Sequence, residues 1–198
     1  MKSPDTPGRF NPTSGEFCGL RDGGCGQRFQ GGYIYWSPAG GVQTVWGAIA
    51  GKYAEKGWEN STLGYPTSGE FCGLRDGGCG QRFQGGYIYW TPATGAHSVW
   101  GAIAGKYADK GWETGQLAYP TSDEFCGLRD GGCAQRFQGG LIYWSPRSGA
   151  HPVWGAILDQ YAAEGYERGR LAYPITDELV VPRGWEQRFQ GGTLTWPR

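Results

Sequence analysis

Runs rich in aromatic and β-branched residues flank a pair of adjacent glycines, and this segment recurs along the chain. In one copy, residues 81–83 (Gln-Arg-Phe) and 87–90 (Tyr-Ile-Tyr-Trp) flank Gly85 and Gly86. Two adjacent glycines between such runs favour a tight hairpin turn, because the common two-residue turns need positive φ. The pattern therefore predicts a β-hairpin in each copy.

A second periodicity follows the hairpin, over residues 98–111. Val99, Ile103 and Tyr107 recur four residues apart, which places them on one face of a helix. Gly111 stands where a helix-ending glycine is expected. In the next copy Pro152 occupies the place of the first residue of this segment, a position suited to the first helical turn. The sequence thus predicts one helix after each of these hairpins.

The string Gln-Arg-Phe-Gln-Gly-Gly marks the same point of every copy. It occurs four times, starting at Gln27, Gln81, Gln135 and Gln187, so the first three copies are 54 residues apart and the last follows after 52. A period of this size indicates a supersecondary unit that is too small to bury its hydrophobic face alone. Neighbouring units must therefore share a core.

The expected fold class is α+β, a tandem repeat of hairpin-plus-helix units that form a closed or curved, propeller-like array. We predict one repeat domain over residues 1–198. Its units are 9–62, 63–116, 117–170 and 171–198, and the last one lacks the helix because the chain stops just after its hairpin.

Alternate positions of a strand lie on opposite faces, so each second hairpin strand has two distinct faces. One face is apolar in every copy and is expected to be core; it carries Ile34 and Trp36, Ile88 and Trp90, Ile142 and Trp144, and Leu194 and Trp196. The opposite face carries Tyr33 and Tyr35, Tyr87 and Tyr89, Leu141 and Tyr143, and Thr193 and Thr195. Its tyrosines are candidate contacts for a ligand.

Composition and charge exclude several classes of partner. Eighteen basic residues balance eighteen acidic ones, so no long-range field attracts nucleic acid or an anionic membrane. No apolar run approaches the roughly 18 residues that span a bilayer, which predicts no membrane insertion. The departures from average usage are 38 glycines, 10 tryptophans and 12 tyrosines, typical of a turn-rich fold with large aromatic anchors.

Six cysteines form three pairs of identical spacing, each enclosing six residues: Cys18 and Cys25, Cys72 and Cys79, and Cys126 and Cys133. We expect disulfides within the units, each worth roughly 2.5 kcal/mol on the chain-entropy account. Zinc is the alternative, although zinc sites favour closer ligand pairs and usually draw on a second pair or on histidine. Disulfides imply an oxidising compartment and a secreted protein. Residues 1–5 lack the apolar core of a signal peptide, so we expect Met1 to derive from expression of a mature form.

The loop between the paired cysteines, Cys-Gly-Leu-Arg-Asp-Gly-Gly-Cys, is absent from the fourth copy, where Trp185 follows residues 179–184 instead. Either the loop serves recognition, or it is a structural staple that Trp185 replaces by packing. For recognition, the acceptor carboxylates, the forked arginine donors and the flat tyrosine faces suit a neutral, hydroxyl-rich ligand. The candidate ligand-binding residues are Arg21, Asp22, Tyr33, Tyr35, Arg75, Asp76, Tyr87, Tyr89, Arg129, Asp130 and Tyr143.

Other interpretations of these residues remain open. Adjacent arginine and aspartate in a loop can simply pair with each other or with solvent, which contributes little. A second functional class is a protein-binding array or protease inhibitor that presents the Leu-Arg-Asp loops. No cofactor or metal is expected, since too few acidic groups cluster around Asp22 for calcium. The invariant Arg28, Arg82, Arg136 and Arg188 are expected to hold the framework by bonding backbone carbonyls.

An enzyme is not expected. Glu70 with Asp76, or Asp123 with Glu124, would supply a pair of glycosidase carboxylates. The first unit has Gly15 at the position of Asp123, so no such pair is uniform among the copies.

Residues 63–66 (Leu-Gly-Tyr-Pro), the hairpin of residues 83–92 and residues 95–97 (Gly-Ala-His) together resemble the LGFP repeat family, over about residues 9–196. That resemblance implies a secreted repeat that attaches to cell-wall polysaccharide, with arabinogalactan as the usual suggestion. The expected partner is therefore a polysaccharide or glycan, and the expected location is the cell wall. The cysteine-bounded loop is not part of the usual family pattern and points to a more specialised ligand.

Overall fold

The computed structural model describes residues 11–197. The start of the first predicted unit, the residues before it, and Arg198 lie outside this range. The chain divides into two compact units, residues 1–100 and 101–198, which are considered in turn.

The N-terminal unit contains two antiparallel four-stranded sheets and one helix. The first sheet consists of β1 (Phe17–Cys18), β2 (Cys25–Phe29), β3 (Gly32–Ser37) and β4 (Gly41–Trp46), followed by helix α1 (Gly47–Lys56). The second sheet consists of β5 (Phe71–Cys72), β6 (Cys79–Arg82), β7 (Gly86–Thr91) and β8 (Gly95–Trp100). The strands of each sheet pair in chain order.

The C-terminal unit repeats this plan after helix α2 (Gly101–Asp109). Its four-stranded sheet consists of β9 (Phe125–Cys126), β10 (Cys133–Phe137), β11 (Gly140–Ser145) and β12 (Gly149–Trp154), followed by helix α3 (Gly155–Ala163). A three-stranded sheet of β13 (Leu179–Val181), β14 (Gly184–Phe189) and β15 (Gly192–Pro197) ends the described chain.

The predicted hairpins form, but each belongs to a larger sheet, and the expected propeller is not confirmed. The four sheets are separate, and no closed barrel or propeller is found among residues 11–197. What is shown is a tandem repeat of small antiparallel sheets and helices, consistent with an α+β class.

The segment predicted to begin the helix is in fact the last strand of each four-stranded sheet. Val99 lies in β8 opposite Tyr87, and Pro152 lies in β12 opposite Ile142, so neither is helical. Both strands are at the edge of their sheets, where proline is tolerated. The helix begins two residues later, at Gly101, whose φ of +59° turns the chain from strand to helix. Gly111 does follow the helix with a φ of +84°, as predicted.

Each helix packs against its own repeat or the next, and this explains which strand faces are buried. Helix α1 contacts β3 and β4 of the first sheet and β7 and β8 of the second. The resulting core contains Tyr35 from the first sheet, Tyr53 from the helix and Ile88 from the second sheet, all buried. Helix α3 likewise contacts β12 and β15. A strand is therefore buried on both faces where one helix packs on each face.

The expectation that the isoleucine and tryptophan face is simply core is wrong at the ends of the chain. No helix precedes β3 in the described residues, and Trp36 is 42% exposed. In β15 Leu194 is buried, but Trp196 is 46% exposed. Thr193 and Thr195 replace tyrosines on the other face of β15 and are also exposed, because no fourth helix follows in the described chain.

In the last three hairpins the first glycine of the pair serves close backbone approach and has no positive φ. The backbone N–H of Gly85 donates to the Leu63 carbonyl at 2.9 Å. A Cβ on Gly85 would stand 1.9 Å from the Thr62 oxygen, whereas the φ of this glycine is not in the left-handed region. Gly139 and Gly191 approach the equivalent carbonyls just as closely. The Leu-Gly/Ala-Tyr-Pro segment therefore packs directly against the backbone of the hairpin turn.

In the second and fourth copies, the first glutamine of the repeated string ties its repeat to the preceding one. Gln81 is buried in β6, and its Nε2 donates to the Thr44 carbonyl of β4 at 2.7 Å and to the Ser68 carbonyl at 2.8 Å. Gln187 makes the same two bonds, to the carbonyls of Pro152 and Thr176. One amide thus joins an edge strand of the preceding repeat to the segment that opens its own repeat.

A substitution at the turn glycine tests this docking. We expect Gly85→Ala to lower the free energy of unfolding by about 1–3 kcal/mol, because the added methyl group meets the Thr62 carbonyl and forces the backbones apart. Gly105→Ala is the matched control, since Gly105 lies in α2 with open space around it, and it should raise stability by up to about 1 kcal/mol. Urea denaturation measures both, and equal effects would contradict the close-approach account.

Candidate functional site

The cysteine loops are closed by disulfides within each repeat, as predicted. The bonds join Cys18 to Cys25, Cys72 to Cys79 and Cys126 to Cys133, and each Cα–Cα distance is 4.1 Å. The paired cysteines lie directly opposite each other on neighbouring strands. Because all six sulfurs are bonded, the zinc alternative is wrong.

Each loop carries its Arg-Asp pair at an exposed tip. The loop backbone closes on itself, with the Leu20 N–H donating to the Gly24 carbonyl and the Gly23 N–H to the Leu20 carbonyl. Asp22 has a φ of 55°, the left-handed conformation that aspartate tolerates. Equivalent values occur at Asp76 and Asp130. The three tips therefore have nearly identical backbones.

Arginine and aspartate at each tip pair with each other. The Nε–Oδ2 distance is 3.5 Å for Arg21 and Asp22, and it is closely similar in the other two loops. Arg21 also donates to the backbone carbonyls of Glu59 and Ser61 at 3.2 and 3.3 Å. The aspartate side chains point outward, 68%, 61% and 64% exposed at Asp22, Asp76 and Asp130. The aspartate carboxylate is thus the most exposed charged group of each tip. Arg21, by contrast, also holds its loop in place through hydrogen bonds to the backbone.

A tyrosine from the next repeat supports the loop from beneath. The Tyr65 hydroxyl donates to the Arg21 carbonyl at 2.7 Å, and the Tyr173 hydroxyl donates to the Arg129 carbonyl. A Cβ on Gly24 would meet the Tyr65 oxygen at 2.3 Å, so only glycine leaves room for it. The loop is consequently part of the contact between one repeat and the next.

The fourth copy lacks both the loop and a following tyrosine among the described residues. In its place β13 and β14 join through a short turn, and Val180 lies opposite Trp185 where a disulfide lies in the other copies. Trp185 therefore does occupy a cysteine position, as the packing alternative predicts. The fourth copy has no tyrosine of a following repeat in the described chain to support a loop, and this explains why the loop is missing. Its loss is therefore no evidence that the loop serves recognition.

Removal of the supporting hydroxyl tests the role of the loop in stability. Tyr65→Phe should lower the free energy of unfolding by about 1 kcal/mol, since the Arg21 carbonyl loses its donor. Tyr166→Phe is a control at a tyrosine that is 40% exposed, and it should change stability little. Urea denaturation gives both values. A Tyr65→Phe protein as stable as the wild type would show that the loop does not depend on this contact.

Three of the tyrosines predicted to bind ligand are not available to one. Tyr35, Tyr89 and Tyr143 are 3%, 4% and 4% exposed and belong to the core. Burial, and after it nearby carboxylates and tyrosines, raises the pKa of Tyr35. The hydroxyls looked accessible because alternation places them opposite the isoleucines. In the first and third repeats, however, a tyrosine of the following helix packs on that face: the ring centroids of Tyr35 and Tyr53 are 5.7 Å apart, and those of Tyr143 and Tyr161 are 5.4 Å apart. This part of the site prediction is wrong.

Tyr33 and Tyr87 are half-buried, in contrast to these three. In the first repeat the rings of Tyr33 and Trp58 lie 4.6 Å apart. The third repeat has the smaller Leu141 and Tyr166 at these positions, and there a cleft of about 330 Å³ is present. The cleft is lined by Phe125, Leu128, Arg136, Leu141, Tyr143, Gly165, Tyr166, Glu167 and Arg168.

Sequence reasoning missed a turn whose third copy, Tyr166–Arg168, lines this cleft. After each helix a Gly-aromatic-Glu string forms a 3-10 turn: Trp58–Asn60, Trp112–Thr114 and Tyr166–Arg168. Its aromatic residue has positive φ each time, and its glutamate is buried each time, at Glu59, Glu113 and Glu167. Burial, and after it the Glu167 carboxylate, raises the pKa of Tyr173 to about 12. The signal was a glutamate kept at the same place in three copies.

The invariant arginines of the repeated string do not act as predicted. Their side chains are exposed; Arg136 lies over the Phe125 ring at 5.1 Å, and Arg188 pairs with Glu186 at 2.9 Å. It is their backbone that is bound, for example by the Arg82 N–H that donates to Ser68 Oγ. Of the four side chains, that of Arg136 lines the cleft of the third repeat.

A carboxylate that could suggest an enzyme is held in an ion network in the C-terminal unit. Asp177, the counterpart of Asp123, lies 2.7 Å from His151 Nδ1, 2.6 Å from Lys110 Nζ and 3.2 Å from Lys106 Nζ. Burial alone would raise its pKa, but hydrogen bonds from His151, Lys110 and Lys106 outweigh burial and lower the pKa of Asp177. This carboxylate serves packing between α2, β12 and the last repeat.

The network predicts a stability that depends on acidity. Because the folded-state pKa is lowered, the stabilisation is present above the unfolded-state value near 4 and is lost as the pH falls further. Asp177→Asn should cost about 1.5–3 kcal/mol at pH 7, as expected for hydrogen bonds to charged groups. The difference between variant and wild type should shrink below about pH 4. Urea denaturation from neutral to acid pH measures it, and a constant difference would contradict the network.

A family model described as the LGFP repeat matches residues 11–61, 63–115 and 117–169, most of the chain. The chain belongs to the LGFP repeat family. The fourth copy lies outside these matches. No curated protein matches the chain.

The structure explains the Leu-Gly-aromatic-Pro string that names the LGFP repeat. The second residue of the string has positive φ, at Gly64, Ala118 and Ala172. Its backbone carbonyl accepts a hydrogen bond from the hydroxyl of the helix tyrosine; the Tyr53 hydroxyl, for example, donates to the Gly64 carbonyl at 2.8 Å. The aromatic residue supports the preceding loop. No helix of residues 11–197 has the length and apolar character that a membrane span requires.

Proposed function

We propose that this LGFP repeat protein is a secreted, non-enzymatic, multivalent glycan-binding protein. The observation that carries the proposal is that the same exposed Arg-Asp tip stands on the same disulfide-closed loop in three successive repeats. Aromatic rings lie beside the loop in the first and third of these repeats. Disulfides fit an extracellular location.

The chemistry of each tip suits vicinal hydroxyls. The exposed carboxylate of Asp22 accepts hydrogen bonds, and the guanidinium beside it donates several. Half-buried aromatic rings such as Tyr33 and Trp58 present apolar faces nearby. A loop fixed by a disulfide and by the Tyr65 hydroxyl loses little conformational entropy when it binds.

Repetition adds avidity to weak single sites. If two loops engage one polymer, the combined affinity exceeds that of a single loop by roughly 100-fold or more. A repeating polysaccharide or a glycan-coated surface offers such spaced copies. On the family expectation we propose cell-wall polysaccharide, including arabinogalactan, as the partner class.

The test replaces the three tip aspartates together. Asp22→Asn, Asp76→Asn and Asp130→Asn remove the charge, and asparagine tolerates the positive φ that these positions need. We expect binding on a glycan array to fall at least tenfold, the equivalent of about 1.4 kcal/mol. Unchanged binding in a folded triple variant would overturn the assignment of the loops.

A second triple variant controls for net charge. Glu55→Gln, Asp109→Asn and Asp159→Asn remove the same charge from exposed positions on the helices and should leave glycan binding intact. The same preparations are added to a trypsin-like protease. Stoichiometric inhibition that is lost in the tip variant would support the protease-inhibitor alternative instead.

A further inference from the structure

A cleft lined by three tryptophans lies in the C-terminal unit, away from the cysteine loops. It has a volume of about 210 Å³ and is formed by Trp154, Trp185 and Trp196, with Gln116, Glu178 and the start of α3. Typical pockets for whole small molecules begin near 300 Å³. This cleft therefore fits one sugar residue, with the rest of a glycan outside.

Two of the tryptophans form a matched wall. Trp185 on β14 lies directly opposite Trp196 on β15, so their side chains emerge next to each other from one face of the sheet. The first three repeats have cysteine at the position of Trp185, so this wall is particular to the last repeat. Trp196 is 46% exposed, which leaves a large apolar ring face open to solvent. Such a face suits the C–H face of a pyranose ring.

The polar groups of the cleft complement hydroxyls. Gln116 supplies both donors and an acceptor, and Glu178 supplies acceptors. The Trp154 Nε1–H is buried with no hydrogen-bond partner among the described residues. Because this N–H is fully buried, Gln116 and Glu178 are the polar groups of the cleft that a ligand can reach. The Glu178 carboxylate disfavours an anionic ligand by like-charge repulsion.

We propose that this tryptophan cleft is a binding site for a single neutral pyranose residue of a glycan. The ring stacks on Trp196 and Trp185, and its hydroxyls bond to Glu178 and Gln116. The site shares its ligand class with the proposed function but uses none of the loop residues, so either can fail without the other.

The test uses the ten tryptophan indole N–H signals of the ¹⁵N-labelled protein. Methyl glucopyranoside, methyl galactopyranoside and methyl mannopyranoside are titrated separately, with methyl glucuronate as the anionic comparison. At least one neutral glycoside should shift the indole signals of Trp185 and Trp196 with saturation, and glucuronate should bind at least tenfold more weakly. Glu178→Gln should reduce that preference.

Variants assign the signals and guard against misfolding. Trp196→Ala should lower the affinity at least tenfold, whereas Trp36→Ala removes an equally exposed tryptophan at the equivalent strand position and should leave it unchanged. If Trp196→Ala does not fold, Glu178→Gln still has to weaken the neutral glycoside. The variant with all three tip aspartates replaced should keep the cleft affinity even where it loses array binding. No saturable shift up to about 100 mM, far above millimolar dissociation constants, overturns the proposal.

Discussion

In the second and fourth repeats, one buried carboxamide sets the register between neighbouring sheets. The Nε2 of Gln81 is the only donor group of its side chain, and both its hydrogens are used, on Thr44 of the preceding sheet and on Ser68 of its own repeat. Its Oε1 has no partner among the described residues, as is also true of Gln187. A buried amide with an unpaired oxygen is costly. The two bonds that the amide donates to backbone carbonyls offset this cost.

This register decides which residues of each copy are buried. Once the edge strand of one repeat is tied to the opening segment of the next, the helix between them is covered on two sides, as α1 is by Tyr35 and Ile88. Copies at the ends of the described chain have one such neighbour, so their outer faces are free to change. Trp36 is partly exposed there, and threonines replace tyrosines in β15. The sequence differences among the copies are thus explained first by which repeats pack against each copy, and only then by ligand binding.

Local patterns predicted the elements, and contacts between repeats decided the rest. The hairpins and disulfides follow from turn glycines and from cysteine spacing, both readable within one copy. Residues 95–100 were missed as a strand because their apolar spacing also fits the helix that follows, and only pairing with β7 distinguishes the two. Tyr89 was assigned to a ligand because one copy alone cannot show what covers it. Glu59 was overlooked because a charged residue after a helix resembles ordinary surface.

In the cysteine loops, neighbouring residues have different roles: one stabilises the fold, and the other presents a charge to solvent. The backbone carbonyl of Arg21 accepts a hydrogen bond from the Tyr65 hydroxyl, and the Arg21 guanidinium donates to two other backbone carbonyls. Most of the polar groups of Arg21 therefore stabilise the fold. Asp22 is different: its backbone is held in the left-handed region by the loop, yet its carboxylate is directed to solvent and pairs only with the adjacent arginine. An exposed pair of this kind adds little stability. Stability explains the loop, and the left-handed backbone favours a small polar residue such as aspartate or asparagine at its tip. It does not explain the exposed negative charge, and that charge is where the argument for recognition rests.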